Sequence, residues 1–186
     1  MLLSNFQMNT FRFWLAGFLL SMVMHNSAQA GEYMLDEIGL GYGHGLDATS
    51  WTQLDLIRPL PMPFNALEGL PLHSDIDIGL AVSNWETSGA TAYHSSATIL
   101  LRSDQLTTPF GSYFLEAGFG PHLISRPGKT RRLSTAFEFN SLLGLGLVLT
   151  PEWRLLMRAH HVSNGGISTP NSGVNVYLIQ LHYLFP

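Results

Sequence analysis

From about residue 35 to its end the chain alternates in polarity with a period of two, in segments of about ten residues divided by turn formers. No sustained 3.6-residue pattern appears there. The alternation predicts eight strands, approximately Leu35 to Gly43, Trp51 to Arg58, Asp75 to Trp85, Ser95 to Ser103, Tyr113 to His122, Thr135 to Leu149, Trp153 to Ser163 and Val174 to Phe185. Because successive side chains leave opposite faces of a strand, each segment sorts into two sides. In the sixth, Phe137, Phe139, Leu143, Leu145, Leu147 and Leu149 share a face that only Ser141 breaks, while Glu138, Asn140, Gly144 and Gly146 occupy the other. In the seventh, Trp153, Leu155, Met157 and Ala159 oppose Arg154, Arg158 and His160. In the eighth, Tyr177, Ile179, Leu181, Tyr183 and Phe185 oppose Gln180 and His182.

Such alternation fits a soluble sandwich with its apolar face inward or a membrane barrel with that face outward. Arg12, the apolar run from Phe13 to Met24 and Ala28-Gln29-Ala30 read as the three parts of a secretory signal, with the mature chain starting at Gly31. About 12 apolar residues are too few for a spanning helix, which needs roughly 20. The expected organisation is a signal peptide over 1–30 and one domain over 31–186. Charged residues make up only 12% of the chain, which suggests apolar surroundings outside as well as inside. With aromatic residues near strand ends, an even strand count and a last strand closing on Tyr183-Leu184-Phe185, these features select an all-β fold. The expected architecture is an eight-stranded antiparallel transmembrane β-barrel in the outer membrane of a Gram-negative cell. Arg154, Arg158 and Glu138 then pair within a small polar interior.

The absence of cysteine removes disulfides and thiolate metal sites from consideration. His44, His73, His94 and His122 are scattered without ligand spacing, so neither a metal nor another cofactor is expected. A formal charge of -4 gives no reason to expect nucleic acid. With a periplasmic N-terminus, odd strands run outward, which puts the 164–173 hairpin outside the cell and the proline-rich 59–72 connection on the periplasmic side. Arg126, Lys129, Arg131 and Arg132 also fall outside. They form either a solvated loop or a contact to the phosphates of lipopolysaccharide in the outer leaflet.

Candidate chemistry lies near the C-terminus. His161 and Ser163 are two residues apart, so on a strand both leave the same face, and that face continues the apolar stripe of Trp153 to Ala159. Polar groups on a lipid-facing stripe are costly, and packing explains them poorly. Asn175 begins the matching stripe of the next strand. Ser163 as nucleophile, His161 as general base and Asn175 as the group orienting the imidazole make a triad-like set. The alternative reading of Ser163-Asn164-Gly165-Gly166 is a hairpin loop rich in turn formers.

His161-x-Ser163-Asn164-x-Gly166 followed by Pro170-Asn171-x-Gly173 resembles the signature of the lipid A 3-O-deacylase (PagL) family. Tyr113 to Pro121, Phe137 to Gly146 and Gly39 to Gly43 resemble its fifth, sixth and first strands. The resemblance implies a serine esterase that removes the 3-position acyl chain of lipid A, with Asn164, Asn171 and the backbone N–H of Gly166 as candidate oxyanion donors. The implied partners are lipopolysaccharide and outer-membrane lipids, with a homodimer as a further option. One position departs from the family pattern: the acidic triad member is Asn175 here, and no carboxylate follows Ser163. An amide fixes the imidazole tautomer but does not stabilise an imidazolium as a carboxylate does. Two other readings stay open, a barrel that keeps the fold with weak activity or none, because of Asn175, and an acyltransferase.

Overall fold

The computed structural model describes residues 35–45, 49–60, 69–85, 89–125 and 133–186. Among them are the strands β1 (Glu37–Gly45), β2 (Thr49–Leu60), β3 (Leu72–Trp85), β4 (Ala90–Ser103), β5 (Leu106–Thr108), β6 (Gly111–Ile124), β7 (Phe137–Val148), β8 (Trp153–Ser163) and β9 (Val174–Leu184). Antiparallel pairing runs from β4 through β3, β2, β1, β9, β8 and β7 to β6, and β4 pairs β6 to close the ring. Eight strands form the barrel. The three residues of β5 pair with Tyr113, Ser112 and Gly111 of β6, outside the ring.

The outside is apolar and a large part of the inside polar, the reverse of a soluble fold. Leu40, Tyr42, Leu115, Leu143, Met157, Tyr177, Ile179 and Leu181 are exposed, while Glu37, Asp55, Asp77, Arg102, Glu116, Arg158, Gln180 and His182 are buried. A closed ladder with this polarity pairs its backbone groups internally and presents hydrocarbon to hydrocarbon, as a bilayer-spanning barrel requires. Aromatic clusters sit at both ends of the wall. Trp153 lies 5.0 Å from Tyr183, and Tyr183 5.3 Å from Phe185, at one end. At the other, Phe139 lies 5.6 Å from Phe119 and 5.2 Å from Phe137.

Two layers fill the interior. In the lower layer Arg102 reaches Glu37 at 2.7 Å, Asp75 at 3.0 Å and Glu116 at 3.1 Å. Arg154 joins Glu37 at 3.1 Å, and Arg158 spans the barrel to Asp55 at 2.8 Å, Asp77 at 3.0 Å and Glu116. Glycines on β1 make room for side chains crossing from β9: a Cβ at Gly39 would stand where the His182 ring lies, and one at Gly41 where Gln180 lies. The upper layer is an apolar plug containing Trp51, Trp85, Ile124, Leu133, Val162, Val174 and Val176. The barrel is therefore a packed scaffold whose wall is held rigid from within.

Several expectations are adjusted. Arg154 and Arg158 pair inside as expected, but Glu138 does not meet them; it accepts a hydrogen bond from Thr135 Oγ1 at 2.8 Å, near the start of β7. β3 starts earlier than the alternation implied, at Leu72, where Ser74 Oγ donates to Leu60 O at 2.7 Å, and β4 starts earlier, at Ala90, because polar side chains continue the ladder inside the barrel. Trp85 Nε1 donates to Ser83 Oγ at 2.9 Å, Ser83 Oγ meets His94 Nε2 at 2.7 Å, and His94 Nδ1 meets His122 Nε2 at 2.9 Å. The segment expected to be a secretory signal, Arg126 to Arg132, and positions 61–68 of the proline-rich connection lie outside the described residues.

Removing one partner from a buried charge cluster leaves the others unpaired in a low-dielectric interior, at a cost of about 3–5 kcal/mol. Arg158→Ala leaves Asp77 without its ion-pair partner among the described residues and removes one cation from Asp55 and from Glu116, which keeps Arg102. It is expected to lower unfolding stability by about that amount, read as a shift of the urea midpoint in detergent micelles.

Candidate active site

β8 and β9 place His161 directly opposite Asn175, and both side chains are exposed on the outer wall. The imidazole Nδ1 lies 2.7 Å from Asn175 Oδ1. A carbonyl oxygen only accepts, so Nδ1 carries the proton and Nε2 keeps its lone pair. This is the tautomer a general base needs, with its basic nitrogen free. Ser163, the last residue of β8, follows on the same face two residues along and is half-buried. Ser163, His161 and Asn175, the expected nucleophile, base and orienting group, thus lie on one outward stripe of two adjacent strands.

The ring is held from a second side. Gly173, at φ +66°, sits so close that a Cβ there would stand 2.6 Å from His161 Cε1 and 3.1 Å from Nε2. Any side chain at 173 would be strained in its backbone and would push the imidazole away. Glycine is required twice over.

The loop between β8 and β9 is organised by Asn164, which is fully buried. Its Nδ2 donates to Ser168 O at 3.0 Å and Ser134 Oγ at 3.2 Å, and its Oδ1 accepts the Gly166 N–H at 3.0 Å. Its own N–H donates to Asn171 Oδ1 at 3.0 Å. A bridge between Leu133 and Asn171 ties this loop to the chain entering β7. Of the three candidate oxyanion donors, Asn164 and the Gly166 N–H are therefore engaged in holding the loop. Asn171 is different: with its oxygen accepting from Asn164, its Nδ2 makes no hydrogen bond among the described residues and is available to a substrate.

A pocket of about 500 Å³ opens beside the pair, lined by Ala117, Gly118, Ser141, Leu143, Ala159, His161, Asn175 and Tyr177 among others. Through Leu143, Ala159 and Tyr177 it adjoins an apolar groove of about 740 Å³ walled by Tyr42, Leu145, Met157 and Ile179. The small outward side chains of Ala117 and Ala159 make this recess in a wall otherwise built of Leu, Phe and Tyr. Ser141 stands opposite His161 across β7 and β8, so the one polar break in the β7 stripe belongs to the same pocket.

Sequence reasoning did not find Ser134 or the clearance role of Gly173. Ser134 precedes Asn164 by 30 positions, and nothing local to either announces the contact. The four cations at 126, 129, 131 and 132 cannot be related to the pocket, since they lie outside the described residues. Among those residues no group of three or more His, Asp or Glu side chains is arranged to hold a metal ion.

Comparison with known proteins completes the description. A family model described as Lipid A 3-O-deacylase (PagL) matches residues 17–184. The lipid A deacylase PagL of Bordetella bronchiseptica (strain ATCC BAA-588 / NCTC 13252 / RB50) is 38% identical over 74 residues, which are 39% of this chain and 40% of that protein. The match thus spans about two fifths of that relative's length. The crystal structure of the outer membrane enzyme PagL has a similar fold, with a TM-score of 0.66 and 21% identity over 80% of this chain and 99% of that one.

Proposed function

The chain belongs to the lipid A 3-O-deacylase (PagL) family, and from that premise we propose that it is a serine esterase of the outer membrane that hydrolyses the 3-position acyl ester of lipid A. The observation that carries the reading is the His161–Asn175 hydrogen bond at 2.7 Å on the lipid-facing wall, with Ser163 next on the same stripe. A soluble ester would be met from a water-filled cleft; this site opens sideways. It is suited to a substrate whose acyl chains stay in the bilayer while the ester rises to the interface, where water is available.

His161 Nε2 takes the proton of Ser163 Oγ as the oxygen attacks the ester carbonyl carbon. The carbonyl oxygen becomes an oxyanion and receives a hydrogen bond from Asn171 Nδ2, the donor left uncommitted by the loop. Asn175 Oδ1 holds the imidazolium through its Nδ1–H. Collapse of the tetrahedral intermediate breaks the bond to the sugar 3-oxygen, which leaves with the proton from His161, and the acyl group stays on Ser163. Water, deprotonated by the same nitrogen, attacks the acyl-enzyme, freeing the fatty acid and restoring Ser163. The recess over Ala159, Leu143 and Tyr177 and the groove below it accommodate the acyl chain during both steps.

The second reading, a barrel with the fold but no turnover, is favoured by one residue, the amide at 175. Covalent labelling separates the two. A long-chain alkyl fluorophosphonate, which mimics the tetrahedral intermediate and traps activated serines, is expected to add to Ser163, and peptide mass spectrometry would locate the adduct. Failure of Ser163 to react in the folded protein would support the inactive barrel.

A further inference from the structure

We propose that His44 binds a phosphate group of the lipid whose ester Ser163 attacks, an inference that rests on the function proposed above. His44 lies on the outer face of β1, in line with exposed Leu40 and Tyr42. Its register partner on β9 is Tyr177, two residues beyond Asn175, so His44 is the diagonal neighbour of the residue that orients the general base. It lines the same apolar groove as Tyr42, Met157 and Tyr177, and Tyr177 also borders the pocket at His161. The Tyr42 ring packs edge-on at 5.1 Å from the imidazole and braces it along the wall.

An imidazole on a lipid-facing stripe is costly unless it meets a polar group of the lipid itself. β1 ends one residue later, at Gly45, which puts His44 at the same end of the wall as the catalytic loop. His44 is level with Tyr177 and Ala159, so Ser163 lies two strands across and four residues along from it, roughly 17 Å between backbones. A phosphorylated disaccharide spans that gap, with its ester at Ser163 and its phosphate reached by the outward His44 side chain. An imidazole N–H donates well to a phosphate oxygen, and such a charge-assisted bond adds affinity without entering the chemical step. The apolar groove between the two points takes the chain, so the three contacts read three parts of one amphiphile.

The test compares two substrates in neutral detergent micelles free of phospholipid: lipid A, and lipid A stripped of its phosphates. The wild-type protein is expected to prefer the phosphorylated form in kcat/KM by roughly tenfold, the scale of one hydrogen bond to a charged group. In His44→Ala that preference collapses towards one, and in His44→Lys, which supplies another N–H donor to the phosphate, it is largely retained. The same preference in His44→Ala as in wild type would overturn the proposal while leaving the esterase reading intact. So would an effect of His44→Ala that appears only once phosphatidylglycerol is added, since the phosphate bound would then belong to a neighbouring lipid. If the wild-type protein deacylates neither substrate, the esterase reading fails and this inference fails with it.

Discussion

Ser163→Ala is expected to lower turnover of lipid A by roughly three to four orders of magnitude without loss of the folded barrel. Removing the nucleophile of a complete Ser-His-Asp triad costs on the order of 10⁶ in kcat, because the three residues act as a unit. With an amide in place of the carboxylate, part of that rate is already missing, and the remaining drop is smaller by the same factor. The barrel does not depend on this side chain, which sits at the end of β8 and outside both interior layers. Turnover by purified protein in micelles, alongside the urea midpoint of the same preparation, measures both halves of the expectation. A midpoint shift as large as that of Arg158→Ala would mean that Ser163 is structural.

Asn175→Asp is expected to raise turnover by roughly a hundred- to a thousandfold. Replacing the triad aspartate of a serine protease by asparagine costs around four orders of magnitude, partly because the histidine is then held in the wrong tautomer. Here that part is not lost. Asn175 Oδ1 already takes the Nδ1–H at 2.7 Å and leaves Nε2 basic. What a carboxylate adds is attraction for the imidazolium in the transition state, in a setting where lipid on one side lowers the effective dielectric. The same setting explains how an amide fits: an ionised side chain on a lipid-facing stripe costs the resting protein more than a neutral one. Initial rates of the two proteins at equal concentration give the answer, and equal or lower activity in the aspartate variant would mean that the amide is matched to the site.

Parity along strands made much of this molecule readable. Phe137 to Leu149, Trp153 to Ala159 and Tyr177 to Phe185 alternate so regularly that strand number, outward face and antiparallel closure follow. The same parity carried His161, Ser163 and Asn175 onto one face before any contact was known, and the register confirms that His161 and Asn175 stand opposite each other. Alternation fails where both faces are polar. The expected fourth strand starts at Ser95, and only the interior contact of His94 with Ser83 and His122 shows why β4 begins at Ala90. β5 is too short for any periodicity to reveal.

Partners across the barrel are a different kind of information. That Arg158 must be paired follows from its position on an inward face; that its partners are Asp55, Asp77 and Glu116 depends on closure and on which glycines leave space. The same holds at the site. Asn164 and Gly166 have the right chemistry for an oxyanion, and only the loop's own hydrogen bonds show that they are occupied and that Asn171 Nδ2 has no partner among the described residues. His44 belongs to this class too. In sequence it is one of several scattered histidines, and it joins the site only because β1 closes against β9.

The most direct test of the central claim is a mass spectrum of lipid A from Gram-negative cells that produce this protein in folded form in the outer membrane. The account predicts that lipid A loses one acyl chain, the one esterified at the 3-position, and that cells producing Ser163→Ala keep it. Intact lipid A beside the wild-type protein, or the same loss beside Ser163→Ala, would contradict it.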